Sequence, residues 1–421
     1  MTAAFTGKAL RAAETAGRGA TVALAFSIPI STALDNILMG AVFLAVLASN
    51  ARAVGKAIAH NAAARAGMLL FVLLALGLLW GAAPLKTGIA VLGKYADLAL
   101  MPFMLVALRD EILRRRAMQV FLVVMAVTAV LSWLVGLSIL PVSSWMWEGC
   151  RPDNPAIFRS SITQNVLMAY AVYLALLRAR DVPALSRRWG MWVALAALMG
   201  ADVLFMVQGR TGYVVLLALL VLHALRGMQA RAEARGRRLN VRILVAAVLS
   251  VPAVLVALYF AAPRLHDRVD KAVAELRSWT PGVHTSTSIG ERLEFYSTTA
   301  ALIERHPVAG YGTGGFAEAY EAQARSMGLP PTGNPHNEYL LITVQLGLLG
   351  LLSMLYLFLT QWRFAARLPA AHERNAAQGL MLTLALTSLF NSPLVDHTEG
   401  LFYAFMSAYW FARLKQGSGD A

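Results

Sequence analysis

Apolar runs succeed one another along almost the whole chain, many of them about 17 to 25 residues long, the length a helix needs to cross a bilayer core. They fall at 20–32, 34–50, 67–84, 88–107, 118–140, 163–178, 190–208, 211–225, 242–262, 337–361, 377–391 and 400–412. This pattern predicts an all-α, polytopic membrane protein with about twelve transmembrane helices. The first two runs are short enough to be read as one hairpin. The first is not expected to be a cleavable leader, because it lacks a small-residue cleavage site and apolar sequence resumes almost at once. Alternating segments of about ten residues, the mark of a membrane β-barrel, are absent. One long polar segment, 263–336, interrupts the pattern. It divides the chain into about nine N-terminal helices (1–262), the segment itself with short helices, and about three C-terminal helices with a short tail (337–421).

Composition agrees: of 421 residues, 58% are hydrophobic and 14% charged, against about 25% charged in ordinary globular domains. The net charge is +14, and a basic chain invites a nucleic-acid reading. The arginines, however, crowd every second connection: Arg52 and Arg65; Arg109 and Arg114–Arg116; Arg178–Arg188; Arg226–Arg242; Arg363–Arg374; Arg413. That is the positive-inside bias. It puts these loops and both termini in the cytoplasm, excludes nucleic acid as the partner and leaves membrane lipids as the neighbours. The loops 141–162, 263–336 and 392–399 and the turn at Gly209-Arg210 are then expected outside. Cys150 is the only cysteine, so no intrachain disulfide can form. The polar segment is too short to rely on a core of its own and is expected to pack on the membrane helices.

Within that segment, Leu293, Tyr296, Ala300 and Ile303 recur at helical spacing. Thr285, Ser286, Thr287 and Ser288 offer caps upstream, and Pro307 stops the helix. Arg292 and Tyr296 lie one turn apart and point the same way. Gly310-Tyr311-Gly312-Thr313-Gly314-Gly315-Phe316 follows, readable as a sharp turn on the membrane surface or as backbone N–H groups offered to an anion. A second helix is expected at about 316–326. Pro335 then holds Asn334 extended, and His336 is expected in the first turn of the next span. The helix dipole there favours a neutral imidazole. Such a histidine is a general base or an interfacial side chain bonded to a carbonyl.

Arg210, between Gly209 and Gly212, lies on the side that the positive-inside bias avoids. It is either a snorkelling anchor or an anion ligand at the membrane edge. Lys94 and Asp97 share a span and fit either an internal ion pair or a head-group contact. Arg151, Arg159, Gln164 and Asn165, and later Asp396, His397 and Glu399, read as solvated loops or as support for the site. Asp396 and Glu399 are candidates to orient His336 or Arg210. No metal-ligand spacing and no Gly-x-Ser-x-Gly elbow occurs, so chemistry free of metal and cofactor is expected. Outward arginines hold phosphate oxygens through paired planar hydrogen bonds. Fixed cations at a dry site stabilise charge on a departing pyrophosphate.

At these residues the chain resembles a known family. Arg210-Thr211-Gly212-Tyr213, Arg292, the His306-Pro307-x-x-Gly310-x-Gly312 run, His336-Asn337-Glu338-Tyr339-Leu340 and Leu346-Gly347-Leu348-Leu349-Gly350 are similar in order and placement to the O-antigen ligase and Wzy polymerase superfamily. The resemblance implies a GT-C-like glycosyltransferase fold at the periplasmic face of a Gram-negative inner membrane. It implies inverting transfer of polysaccharide from undecaprenyl pyrophosphate, without metal, and for the ligase branch a lipid A–core oligosaccharide acceptor. It casts His336 as general base and Arg210 and Arg292 as catalytic and pyrophosphate-binding. Arg159 and Lys94 would be further basic contacts, with Tyr296, Asn337, Glu338 and Asp396 in support. A Wzy-type polymerase and a protein O-oligosaccharyltransferase are the alternatives within the superfamily. The chain's end about nine residues after the last run argues against the second of these. A secondary transporter would need two similar halves or broken mid-membrane helices, and no such symmetry is visible in the sequence.

Overall fold

The computed structural model describes residues 2–236, 259–260, 263–280 and 287–414. These residues are mainly helical and carry a lone β-bridge between Arg151 and Asn154. The first half runs α1 (Thr2–Ser27), α2 (Thr32–His60), α3 (Ala62–Leu76), α4 (Leu85–Lys94), α5 (Ala96–Ala107), α6 (Glu111–Gly136), α7 (Ser161–Arg180), α8 (Arg187–Ala201) and α9 (Arg210–Ala234). The polar segment contributes α10 (Pro263–Ser278), α11 (Ser288–Arg305) and α12 (Phe316–Met327). Then come α13 (Glu338–Ala365), α14 (Ala371–Phe390) and α15 (His397–Phe411).

Among the described residues, eight stretches are long and apolar enough to cross a membrane, so the chain is a multi-pass membrane protein. They are Thr32–His60, Ala62–Leu79, Leu85–Ala107, Glu111–Gly136, Ser161–Arg180, Arg187–Met206, Arg210–Ala234 and Glu338–Ala365. The expected runs at 20–32, 377–391 and 400–412 fall on α1, α14 and α15, which are not among the eight. The run at 242–262 lies outside the described residues except for 259–260.

The reason α15 differs is its place. From Thr398 to Phe411 every residue is buried, so it is apolar all round because protein, not lipid, surrounds it. At 15 residues it is only about 22 Å long. In α7, Thr163 to Leu174 are likewise buried without a break. Several polar groups of these inner helices pair with one another: Trp410 donates to the Tyr170 hydroxyl (2.8 Å), and Gln361 bridges Tyr403 (2.7 Å) and Ser407 (3.0 Å).

Side-chain caps set several helix starts. Ser31, Asn61, Ser160, Asn337 and Asp396 each accept from a backbone N–H of the turn they open. Several spans are broken. Asn50 leaves helical geometry inside α2, a π turn at Asp202–Met206 extends α8, and Gly347 breaks α13 with φ +62°. The polar segment packs on the membrane helices, as its length requires: Leu302, Phe316, Tyr320, Ala324 and Leu329 form a core with Leu341 and Val344 of α13.

Candidate functional site

The site is held in place by the break in α13. A helix interrupted at Gly347 leaves carbonyls without intrahelical donors. The glycine-rich turn fills them: Tyr311 N donates to Val344 O (2.8 Å) and Gly312 N to Gln345 O (2.8 Å), while Leu348 N returns a bond to Pro307 O (2.8 Å). Gly314 N donates to the Gln345 side chain (2.9 Å), and Thr313 N and its hydroxyl bond to Gly77 O (3.1 Å) and Leu74 O (2.6 Å) of the α3 end. Gly310, Gly312 and Gly314 all have positive φ, which glycine alone adopts freely. These N–H groups are therefore spent on the membrane helices. The turn is an anchor, and its anion-binding reading does not hold.

The next segment delivers His336. Asn334 accepts from His336 N (2.8 Å) and from the Ser392 hydroxyl (2.7 Å), forming a tight turn. His336 has φ +53°, a conformation worth about 1–3 kcal/mol of strain in a non-glycine residue. Asn337 caps α13 and Glu338 is its first residue, so His336 stands outside the helix rather than in its first turn. The expected dipole effect is not the main influence on it. Burial lowers its pKa below the usual value, and the Arg292 charge acts in the same direction. A hydrogen bond with Asn391 and the Glu291 charge pull the other way. The ring stacks on Phe295 (6.2 Å between centroids), and Nδ1 lies 3.5 Å from Asn391 Oδ1. Asn391 Nδ2 in turn donates to Glu399 (3.2 Å), whose other oxygen accepts from Thr163 (3.1 Å).

α11 begins at the Thr287 cap, which accepts from Gly290 N, and ends at Arg305 ahead of Pro307. Its buried side is Glu294, Thr298, Thr299 and Leu302, while Ala300 is exposed. The inward face is thus rotated from the one the apolar spacing indicates, because Leu302 and not Ala300 reaches the α12–α13 core. This rotation turns Arg292 and Tyr296 to the site. The Tyr296 hydroxyl lies 3.2 Å from His336 O and 3.0 Å from Leu389 O.

Arg210 opens α9. Gly209 and Gly212 press against Asn165 of α7, where a β-carbon at either position would collide with it. Asn165 Nδ2 also bonds to Val207 O (3.0 Å). Arg210, Arg292 and Lys271 of α10 line one open pocket of about 310 Å³ with Ser161, Gln208 and Thr211. Burial lowers the Arg292 pKa, and repulsion from Arg210 adds to it. The Arg292 charge also acts on His336, which itself does not line the pocket. Three cations around one cavity with a largely desolvated imidazole beside them suit a polyanion next to a proton acceptor.

Other expected residues are placed differently. Arg159 is not in this pocket. Its guanidinium is buried against Asp35 (2.8 Å) and Ile28 O (2.8 Å). Lys94 is exposed at the end of α4, does not line the pocket and makes no ion pair with Asp97. Gln164, Asn165 and Glu399 are buried rather than solvated. Asp396 caps α15 by accepting from Thr398 N and Glu399 N (3.0 and 3.1 Å) and does not touch His336. Glu338 is fully buried, accepting from Tyr95 (3.1 Å) and Leu394 N (2.9 Å), so it braces the α13 start. Asn337 Nδ2 donates to Leu389 O (3.1 Å). Sequence reasoning missed Lys271 and Asn391. Lys271 sits in an ordinary amphipathic run, and Asn391 carries no local signal.

Residues 194–355 match the O-antigen ligase family. Arg210, Lys271, Arg292 and His336 all fall inside the matched segment. A Haemophilus influenzae protein described as uncharacterized is 22% identical over 192 residues, covering 45% of this chain and 41% of that protein. The match thus extends over about two fifths of that relative's length.

Proposed function

We propose that the chain, whose residues 194–355 match the O-antigen ligase family, transfers a glycan from a lipid pyrophosphate to a sugar hydroxyl. The donor is polysaccharide on undecaprenyl pyrophosphate and the acceptor lipid A–core oligosaccharide, at the periplasmic face of the inner membrane. The observation that carries the reading is the convergence of Arg210, Lys271 and Arg292 on one pocket, with His336 within reach of the Arg292 charge.

Arg210 and Arg292 grip the pyrophosphate oxygens, and Lys271 adds a point charge. Asn391 accepts from Nδ1 of His336, which leaves the Nε2 lone pair free. The acceptor hydroxyl gives its proton to Nε2 while its oxygen attacks the anomeric carbon. The bond from that carbon to the pyrophosphate oxygen breaks, and the electron pair leaves with the diphosphate. The two arginines stabilise the charge gathering there. Attack opposite the leaving group inverts the anomeric centre. No step needs a metal or a nucleotide.

Purified protein with lipid-linked polysaccharide and lipid A–core, without added metal or nucleotide, tests this directly. Capped lipid A–core is the expected product, and His336→Ala is expected to lower its formation by about 10²–10⁴-fold, the usual contribution of a general base. Full activity in His336→Ala rules out the base. A deletion strain separates the branches of the superfamily: accumulated lipid-linked polymer marks a ligase, and single-unit capping marks a polymerase.

A further inference from the structure

At the end of the bundle away from His336, a cleft of about 910 Å³ opens between α6, α8, α14 and α15. α7 ties the two ends together, since Ser161 lines the pyrophosphate pocket and Arg178 lines this cleft. Those residues are 17 positions apart, or about 26 Å along a helix. The cleft is therefore a separate place, out of reach of the proposed reaction.

Its lining has two halves. The rim carries Arg114, Arg115, Arg178, Arg188 and Arg413 against Glu111, Asp181 and Glu373, five positive charges to three negative, with His372 beside them. Three of the arginines face carboxylates: Arg115 pairs with Glu111, Arg413 with Glu373 (2.7 Å) and Arg178 with Asp181 (3.9 Å). Asp181 is shared with His372 (3.3 Å). Arg188, exposed at the start of α8, forms no ion pair among the described residues, and Arg114 bonds only to the carbonyls of Leu108 and Arg109. Beyond the rim the walls turn apolar: Met118, Leu122 and Ala126 on α6, Trp192 and Leu195 on α8, and Trp410 on α15. From Glu111 to Ala126 the lining follows α6 for about 22 Å.

A soluble anion would use the rim and leave that apolar depth wet. A neutral lipid would fill the depth and leave Arg188 without counter-charge. We infer that this cleft binds an anionic phospholipid, its phosphate between Arg188 and Arg114 and an acyl chain along Leu122 and Leu195. The occupant is a lipid of the leaflet facing the arginine-rich loops, distinct from the donor and acceptor at the other end.

Native mass spectrometry of the delipidated full chain, titrated separately with phosphatidylglycerol, phosphatidylcholine and glycerol 3-phosphate, tests the assignment. Phosphatidylglycerol is expected to bind at least tenfold more tightly than phosphatidylcholine, and glycerol 3-phosphate to leave no adduct at the same concentrations. Arg188→Gln and Arg188→Glu are expected to weaken the phosphatidylglycerol adduct progressively, and Trp192→Ala to weaken it through the apolar wall. Arg367→Gln, outside the cleft, serves as control and is expected to bind as the parent does. Equal binding of the two lipids, glycerol 3-phosphate binding as tightly as the lipid, or Arg188→Glu behaving like the control each overturns the assignment.

Discussion

Asn391 presents its carboxamide oxygen to Nδ1 of His336 at 3.5 Å. The orientation is set from behind, because the amide nitrogen of Asn391 donates to Glu399 (3.2 Å). An oxygen facing Nδ1 requires that Nδ1 carry the proton, so Nε2 is the acceptor nitrogen. The separation is long for a hydrogen bond, as catalytic contacts often are before substrate arrives.

Asn391→Ala removes this partner without touching the Arg210–Arg292 pocket. Turnover is expected to fall on the order of 10- to 100-fold, the usual scale for losing a group that orients a histidine, with donor KM unchanged. The hydrogen bond also raises the His336 pKa, so its loss should move the acid limb of the rate profile to lower pH. An unchanged kcat with an unchanged limb would show that Asn391 is a bystander.

The pH dependence itself has a definite sign. Burial holds the His336 pKa below its usual value, so the ring is neutral near pH 7 and available as a base. Activity is flat there and falls as pH drops through that lowered pKa. The charged neighbours acting on the ring are Arg292 and Glu291. Arg292→Gln removes a repelling charge, raises the pKa and moves the limb to higher pH; Glu291→Gln moves it lower. Both are read on kcat at saturating donor, because Arg292 is also the proposed donor ligand. Limbs that move together, or in the reverse order, would contradict the assignment of the limb to His336.

Gly347 and the outer turn form one unit. Gly347 has φ +62°, and a β-carbon there would overlap the Val308 carbonyl. Gly347→Ala is expected to cost at least about 1–3 kcal/mol from the backbone conformation alone. It should also expel the 307–314 turn from the α13 break. Expected readouts are a lower unfolding temperature, faster proteolysis within the polar segment and reduced transfer. Ordinary protease resistance in the variant would mean that the turn does not depend on the break.

Much of this was legible along the chain where the signal is local. Thr287 and Pro307 bracket α11, Pro335 announces the approach to α13, and Arg210 stands out as a cation between two apolar runs. These signals sit within a few residues of what they determine. What stayed hidden depends on contacts between distant residues. Asn391 meets His336 across 55 positions and Arg159 meets Asp35 across 124. No spacing rule joins them. That protein rather than lipid surrounds α15 could not be read either, because a helix enclosed by protein and one enclosed by lipid show the same uniform hydrophobicity. The inward face of α11 was misread because Glu294 and Thr298, polar by composition, pack inside it.

Arg159 illustrates the same difficulty and gives the last test. As an outward-loop arginine it was a candidate pyrophosphate ligand, yet its side chain is only 10% exposed and is spent on Asp35 and Ile28 O. Asp35 is fully buried and also accepts from Ser27 (2.6 Å), with His397 3.8 Å away. Removing one member of a buried pair strands the other charge, at a cost of about 3–5 kcal/mol, whereas replacing both with apolar residues is often neutral. Asp35→Leu and Arg159→Met alone are therefore expected to destabilise strongly, and the double variant to recover most of the loss. Because neither residue lines the Arg210–Arg292 pocket, the double variant should keep the parent donor KM. A large rise in KM in a well-folded double variant would return Arg159 to the pyrophosphate site.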